Sequence, residues 1–170
     1  MTNITRFGSH GFERIIRYKG VFDFDGVYKY IVKWIKNNDY DFYEKKVWDY
    51  PPYKVYKLEG RKKVSYMTMF LLFVEIWLWE DKPVEIVRDG KVKHLTEARM
   101  KILFDGGYIF DYDGDFEKSP GLKKIEKFLL FKIMFHDMFL KWYDFMDYFV
   151  HSFVADVKKY LEMETASNAY

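Results

Sequence analysis

The chain of 170 residues has no cysteine and no glutamine. Without thiols it can build no disulfide framework, no Cys-ligated zinc or iron–sulfur centre, and no thiol nucleophile. Its ten glycines never fall into a phosphate cradle, since both G-x-G-x-x-G and G-x-x-x-x-G-K-[ST] are absent. Ser9, Ser65, Ser119, Ser152 and Ser167 lie outside any G-x-S-x-G elbow. An excess of one charge is missing too: 28 basic residues against 26 acidic leave a formal +2. A phosphate-binding protein usually gathers a basic excess on one face. The clusters Arg61-Lys62-Lys63 and Lys123-Lys124-Lys127 read as solvated surface, so no nucleic-acid partner is expected. Long apolar runs are also lacking. The nearest, Tyr66 to Trp79, has 14 residues and contains Glu75, short of the ~20 that a spanning helix needs. Met1 to Gly8 lacks the apolar stretch of a signal peptide. The expectation is a cytoplasmic protein with no transmembrane segment. Asparagine occurs only at positions 3, 37, 38 and 168 while 32% of residues are charged, a combination reported for thermophiles.

What the chain does have is aromatic bulk, 22% of its residues, which favours packed interiors and interfaces. A domain of this length hides about 70% of its unfolded surface. A single domain over 1–170 is therefore expected, with 1–12 and 164–170 as a loosely ordered arm and tail.

Alternation from Arg14 to Phe24 predicts a first strand, with Ile16, Tyr18, Phe22 and Phe24 on one side and Arg17, Lys19 and Asp23 on the other. Asp25 is placed to cap a following helix, whose wet stripe is Lys29, Lys33 and Lys36. Asn37 and Asn38 suit its end. A second strand is expected from about Tyr40 to Trp48, then a loop or edge crossing through Pro51-Pro52. Val55 to Trp79 reads as one long strand or two, with Gly60 as a bulge or bend. Arg88-Asp89-Gly90-Lys91, between Val84–Val87 and Val92–Leu95, is a strong hairpin signal. Ala98, Met100, Ile102, Phe104, Tyr108 and Phe110 then oppose Glu97, Arg99, Lys101, Asp105 and Asp111 in another strand, interrupted at Gly106-Gly107. Ser119-Pro120 opens a helical last third. As one rod, Leu122 to Met163 would run about 63 Å, more than the ~40 Å width of a compact domain, so a break is expected near His136-Asp137. In the second piece Asp137, Lys141, Asp144, Asp147, His151, Ala155, Lys158, Lys159 and Glu162 form the wet band opposite Met138, Trp142, Phe145, Met146, Phe149, Phe153, Val157 and Tyr160. The fold class that follows is α+β: an antiparallel sheet of about five to six strands, one N-terminal helix and a long, broken or kinked C-terminal helical segment.

Few constellations carry chemistry. Asp111, Asp113 and Asp115 have the first half of a calcium-loop spacing, but Phe116 stands at the glycine position and Leu122 at the bidentate glutamate. Asp147 and His151 share a helix face without a third ligand, and His10, His94 and His136 are scattered. No catalytic residue, metal or cofactor is expected. Met67 to Trp79 is apolar on both parities, so both faces should be covered. Glu75 within it would need Arg99 or Lys101 as a partner, or a raised pKa.

The order strand, helix, antiparallel strands, long terminal helix is similar to helix-grip domains of the START and polyketide-cyclase type, although those usually carry two short helices after strand one. That similarity implies a hydrophobic cavity between sheet and helix. The segments Tyr18-Lys19-Gly20-Val21-Phe22-Asp23, Phe42-Tyr43-Glu44-Lys45-Lys46, Val87-Arg88-Asp89-Gly90-Lys91, Tyr160-Leu161-Glu162-Met163-Glu164 and Asn168-Ala169-Tyr170 resemble a group of small archaeal α+β proteins, which implies an archaeal origin and no particular activity. The reading is a non-enzymatic protein-interaction or assembly module, its partner another protein or itself. The alternative is a carrier of a hydrophobic small molecule. The candidate interface or cavity residues are Phe70, Leu72, Phe73, Glu75, Trp77, Trp79, Trp142, Phe145, Phe149 and Phe153.

Overall fold

The computed structural model describes residues 12–66, 68–88, 91–110, 112–114, 121, 125, 128 and 135–163. The elements are β1 (Arg14–Phe22), α1 (Phe24–Asn37), β2 (Asp41–Tyr50), β3 (Tyr53–Lys63), β4 (Thr68–Arg88), β5 (Lys91–Phe110) and α2 (Phe135–Tyr160). The strands form one sheet in the order β1-β5-β4-β3-β2, antiparallel at every pairing. The α+β class and the strand number match the sequence reading.

Local chemistry explains the departures from it. β1 stops at Phe22 because Asp23, rather than Asp25, caps α1 by accepting from Gly26 N–H at 2.8 Å. Phe24 is therefore the first helical residue. At the other end the left-handed residue is Asp39 (φ 62°), one place beyond Asn38. Gly60 is no bulge but a paired residue of β3, opposite Phe42 and Leu72. A Cβ there would come within 3.1 Å of Ile35 and 3.2 Å of Tyr40. The β2–β3 irregularity lies instead between Glu44 and Lys46. β5 runs unbroken through Gly106-Gly107. The hairpin is present, with Val87 opposite Val92 and Arg88 opposite Lys91, although Asp89 and Gly90 lie outside the described residues. So do the expected helix start at Ser119-Pro120 and the first and last aspartates of the 111–115 cluster. The α2 helix is described from Phe135 and runs through His136-Asp137, the expected break point, without interruption; residues 129–134 before it lie outside the described residues.

The sheet turns one face to both helices. Ile16, Ile102 and Ile76 stand in one cross-strand row, and all three are buried with Leu72, Phe104, Met146, Val150, Phe153 and Val157 in one cluster. Trp34 of α1 stacks on Phe153 of α2 at 3.9 Å between ring centroids, and Phe153 meets Phe104 of β5 edge-on at 4.9 Å. The Trp34 indole N–H donates to Asp156 at 2.8 Å, which satisfies its one polar atom. Phe12, expected in a loose arm, is fully buried against Tyr143. Lys158, expected in the wet band, is buried, and the α2 core positions extend to Val150, Val154 and Leu161.

Tyr40 is the costly member of this core. It packs on Phe149 at 5.4 Å, burial raises its phenol above the ordinary range, and its hydroxyl has no hydrogen-bond partner among the described residues. An unsatisfied buried polar atom costs about 1–3 kcal/mol. Tyr40→Phe is accordingly expected to hold or raise the urea unfolding midpoint at constant slope. A loss of more than ~1 kcal/mol would mean that the hydroxyl is bonded in solution.

Candidate functional site

Side chains alternate across a sheet, so β4 sends Phe70, Leu72, Val74, Ile76 and Leu78 into the core. The odd positions point the other way, to a face that neither α1 nor α2 covers. The ten sequence-selected residues thus divide between two sides of the sheet. Phe70, Leu72 and Phe153 are buried in the core. Trp142 lies edge-on to Phe70 and Tyr108, and Phe149 packs on Trp34 and Tyr40. Phe145 rests on Phe70 with 49% of its surface exposed. Phe73, Glu75, Trp77 and Trp79 are half-buried on the outer face. No single site contains all ten, because the period of two separates them.

Glu75 is paired, though not with Arg99 or Lys101. Its carboxylate accepts from Lys57 Nζ at 2.5 Å, its direct neighbour on β3. With both side chains about 30% exposed, at 33% and 28%, solvent screens the pair. Glu75→Gln is expected to cost no more than ~1 kcal/mol in urea unfolding, and a loss well above that would show a buried, structural ion pair instead. Asp147 likewise has a partner other than His151: it accepts from Arg14 at 2.5 Å.

The strand register organises the outer face into rows. One row runs Tyr50, Tyr53, Trp79, Arg99, Lys19, and the next runs Trp48, Val55, Trp77, Lys101, Arg17. In both, β2, β3 and β4 supply apolar groups, aromatic at all positions but Val55, while β5 and β1 supply cations. Trp77 and Trp79 lie nearly parallel, at 17° with centroids 5.9 Å apart, and Tyr53 sits 5.9 Å from Trp77. Lys46 and Lys57 stand over the Trp48 ring at 4.4 and 5.1 Å. Arg17, Lys19, Arg99 and Lys101 with Trp79, Tyr18 and Met100 line a groove of about 370 Å³. Arg99 donates to Glu80 at 2.9 Å. Among the described residues Arg17, Lys19 and Lys101 have no carboxylate partner.

The groove ends where the sheet narrows. β1 stops with Phe22 opposite Thr96, and β3 begins with Tyr53 opposite Trp79. Beyond those rungs β4 and β5 continue alone as a two-stranded arm from Val84–Leu95 to Arg88–Lys91. A register shift between Trp79 and Lys82, with Glu80 at φ 58°, marks its base, as bulges do where a strand is re-aimed. Ile86, Val87 and Val92 on the arm are 39%, 72% and 56% exposed. Ile86, Lys93 and Leu95 also line a cleft of about 750 Å³ with Val21, Phe22 and the Tyr160–Glu162 end of α2.

Trp77 and Trp79 were within reach of the sequence, but Trp48, Tyr50, Tyr53 and the four groove cations were not assigned to a site. The signal was partly there, since Arg17 and Lys19 share a parity, as do Arg99 and Lys101. Only the β1–β5 pairing shows that the two pairs are neighbours. Among the described residues no group of three or more His, Asp or Glu is arranged to hold a metal ion, and no helix is long and apolar enough to cross a membrane. Comparison with known proteins leaves the site to speak for itself: no family model matches the chain, and no curated protein or solved structure is significantly similar to it.

Proposed function

We propose that this protein is a non-enzymatic interaction module whose working surface is the outer face of its sheet. One observation carries the reading. The core-facing residues Phe70 to Leu78 of β4 are buried against the protein's own core, whereas Trp77, Trp79 and Tyr53 form an aromatic cluster on the other side, with Tyr50 beside Tyr53 and Trp48 across Val55 in the same two rows. Partly exposed aromatic side chains are the groups that most often anchor partners. A carrier would instead need space between sheet and helix. There Gly106 leaves so little room that a Cβ would stand 2.8 Å from Met146 and 2.9 Å from Val150, and the Trp34–Phe153–Phe104 stack fills the next layer.

The test is native mass spectrometry on protein taken from its own host. A bound species is expected on the unmodified chain and absent from Trp77→Ala/Trp79→Ala, with circular dichroism showing both equally folded. A species retained by the double variant places the contact elsewhere, and no species on either chain contradicts the reading.

Self-association through the β4–β5 arm is a second reading, favoured by the apolar residues Ile86, Val87 and Val92 on a ribbon that pairs with no further strand among the described residues. An isolated two-stranded ribbon is marginal in water, and its free edges invite a second chain. Light scattering should then report a dimer that Val87→Lys/Val92→Lys converts to monomer. A monomer at all concentrations rules it out.

A further inference from the structure

We infer that the outer sheet face binds nucleotides, free or within a single strand, with the base stacked on Trp79 and its neighbours and the phosphate held by Arg17, Lys19, Arg99 and Lys101. The inference rests on the reading of that face as the working surface and names the chemistry of what it holds.

The two cross-strand rows carry it. Each places flat rings on the β2–β3–β4 half and cations on the β5–β1 half. Adjacent strands are ~4.8 Å apart, so Arg99 and Lys101 stand one strand from the tryptophans, and Lys19 and Arg17 two. A nucleotide has the same division: a planar base at one end, a doubly charged phosphate at the other, and a sugar between them. Aromatic stacking with a flanking cationic track is how single strands are held without sequence readout. Bases splayed onto sheet-borne aromatics are a recurrent solution for RNA.

Charge decides between this ligand and a protein. The centre of a protein interface is depleted of charged groups, because each must be desolvated. Here four cations line one groove with Trp79, and among the described residues only Arg99 is offset, by Glu80. Glu97 stands in the next row, opposite Val21 and Lys82, outside the groove lining. Glu75, in the row on the other side, is paired with Lys57, so the chain-wide +2 conceals a local excess confined to these two rows. Paired bases hide their faces within the stack, so the single-stranded form is the one that can lie on these rings.

The experiment is tryptophan-fluorescence titration of the full chain with oligouridylate and oligothymidylate of about 12 nucleotides, within the ~4–16 nucleotide span of compact single-strand sites. A blunt duplex and the mononucleotide UMP form the other arms. Quenching by the single strands is expected, with binding weakened as salt rises from about 50 to 200 mM and a log–log slope near −3 for four phosphate contacts. Lys101→Glu and Arg17→Glu should each weaken binding roughly tenfold and flatten the slope. Lys33→Glu, which reverses an exposed charge on α1, should leave both unchanged. Strands binding more tightly than UMP identify a polynucleotide as the source. UMP binding as tightly identifies a free nucleotide, and either supports the assignment. Equal affinity for duplex, or indifference to both charge reversals, overturns it. If no nucleotide binds but the host-derived species is a protein lost in Trp77→Ala/Trp79→Ala, this inference fails and the working surface stands. If that species is retained, both fail.

Discussion

Replacing Phe153 with alanine is expected to cost about 3–5 kcal/mol of unfolding free energy, the largest loss of any single truncation considered for this chain. The ring is fully buried and lies between Trp34 of α1 and Phe104 of β5, so it joins the two helices to each other and to the sheet. Its removal subtracts transfer free energy and leaves a cavity that three elements must close. Part of the loss should appear as coupling. Trp34 keeps its indole bond to Asp156 but loses its stacking partner, and Trp34 and Phe153 substitutions should therefore not add. Urea unfolding monitored by far-ultraviolet dichroism measures the effect. A loss below ~2 kcal/mol would mean that the stack is not closed in solution.

Gly106→Val should destabilise the fold by about 3 kcal/mol, by the opposite mechanism. Gly106 lies in β5 where α2 crosses the sheet, and even a single carbon there would meet Met146 Cε and Val150 Cγ2 at 2.8 and 2.9 Å. The methionine end can swing away, but the β-branched valine is stiff, so the helix must lift. Overpacking of this kind costs about 1–3 kcal/mol and occasionally more. Gly106→Ala should cost less, because the stiffer chain recovers about 0.4–1 kcal/mol from the unfolded state. Val150→Ala in the Gly106→Val background should restore part of the midpoint. If the double variant is no more stable than the sum of its parts predicts, the clash is not at Val150.

These two residues also show how far the chain could be read in advance. Period-two alternation at Ile16 to Phe22 and Ala98 to Tyr108 was legible, as was the Asp-Gly hairpin, because local sterics and burial dictate both. Gly106 was misread as an interruption because its reason is tertiary: a helix distant in sequence presses on it. Asp23 was passed over as a cap because Phe24 extended the alternation by one residue, and the cap geometry overrode it. Glu75 was rightly expected to need a partner, yet its partner Lys57 depends on the β3–β4 register. The outer face was the least visible. Arg17 with Lys19 and Arg99 with Lys101 are two unremarkable surface pairs until β1 and β5 are laid side by side, with Tyr18 opposite Met100 across about 80 positions of chain. The aromatic half is assembled the same way from β2, β3 and β4.

Differential quenching of tryptophan fluorescence by iodide and caesium at low ionic strength tests most directly whether open rings sit in a positive field. Three of the five tryptophans, Trp48, Trp77 and Trp79, stand on the outer face, while Trp34 and Trp142 pack on the core side. Measured against a free tryptophan amide, the iodide-to-caesium quenching ratio should be clearly raised, salt should return it to the free value, and Trp48→Phe/Trp77→Phe/Trp79→Phe should abolish the rise. A ratio equal to that of the free amide, or a rise that survives the triple substitution, would mean that the outer face is not the exposed, cation-flanked surface described above.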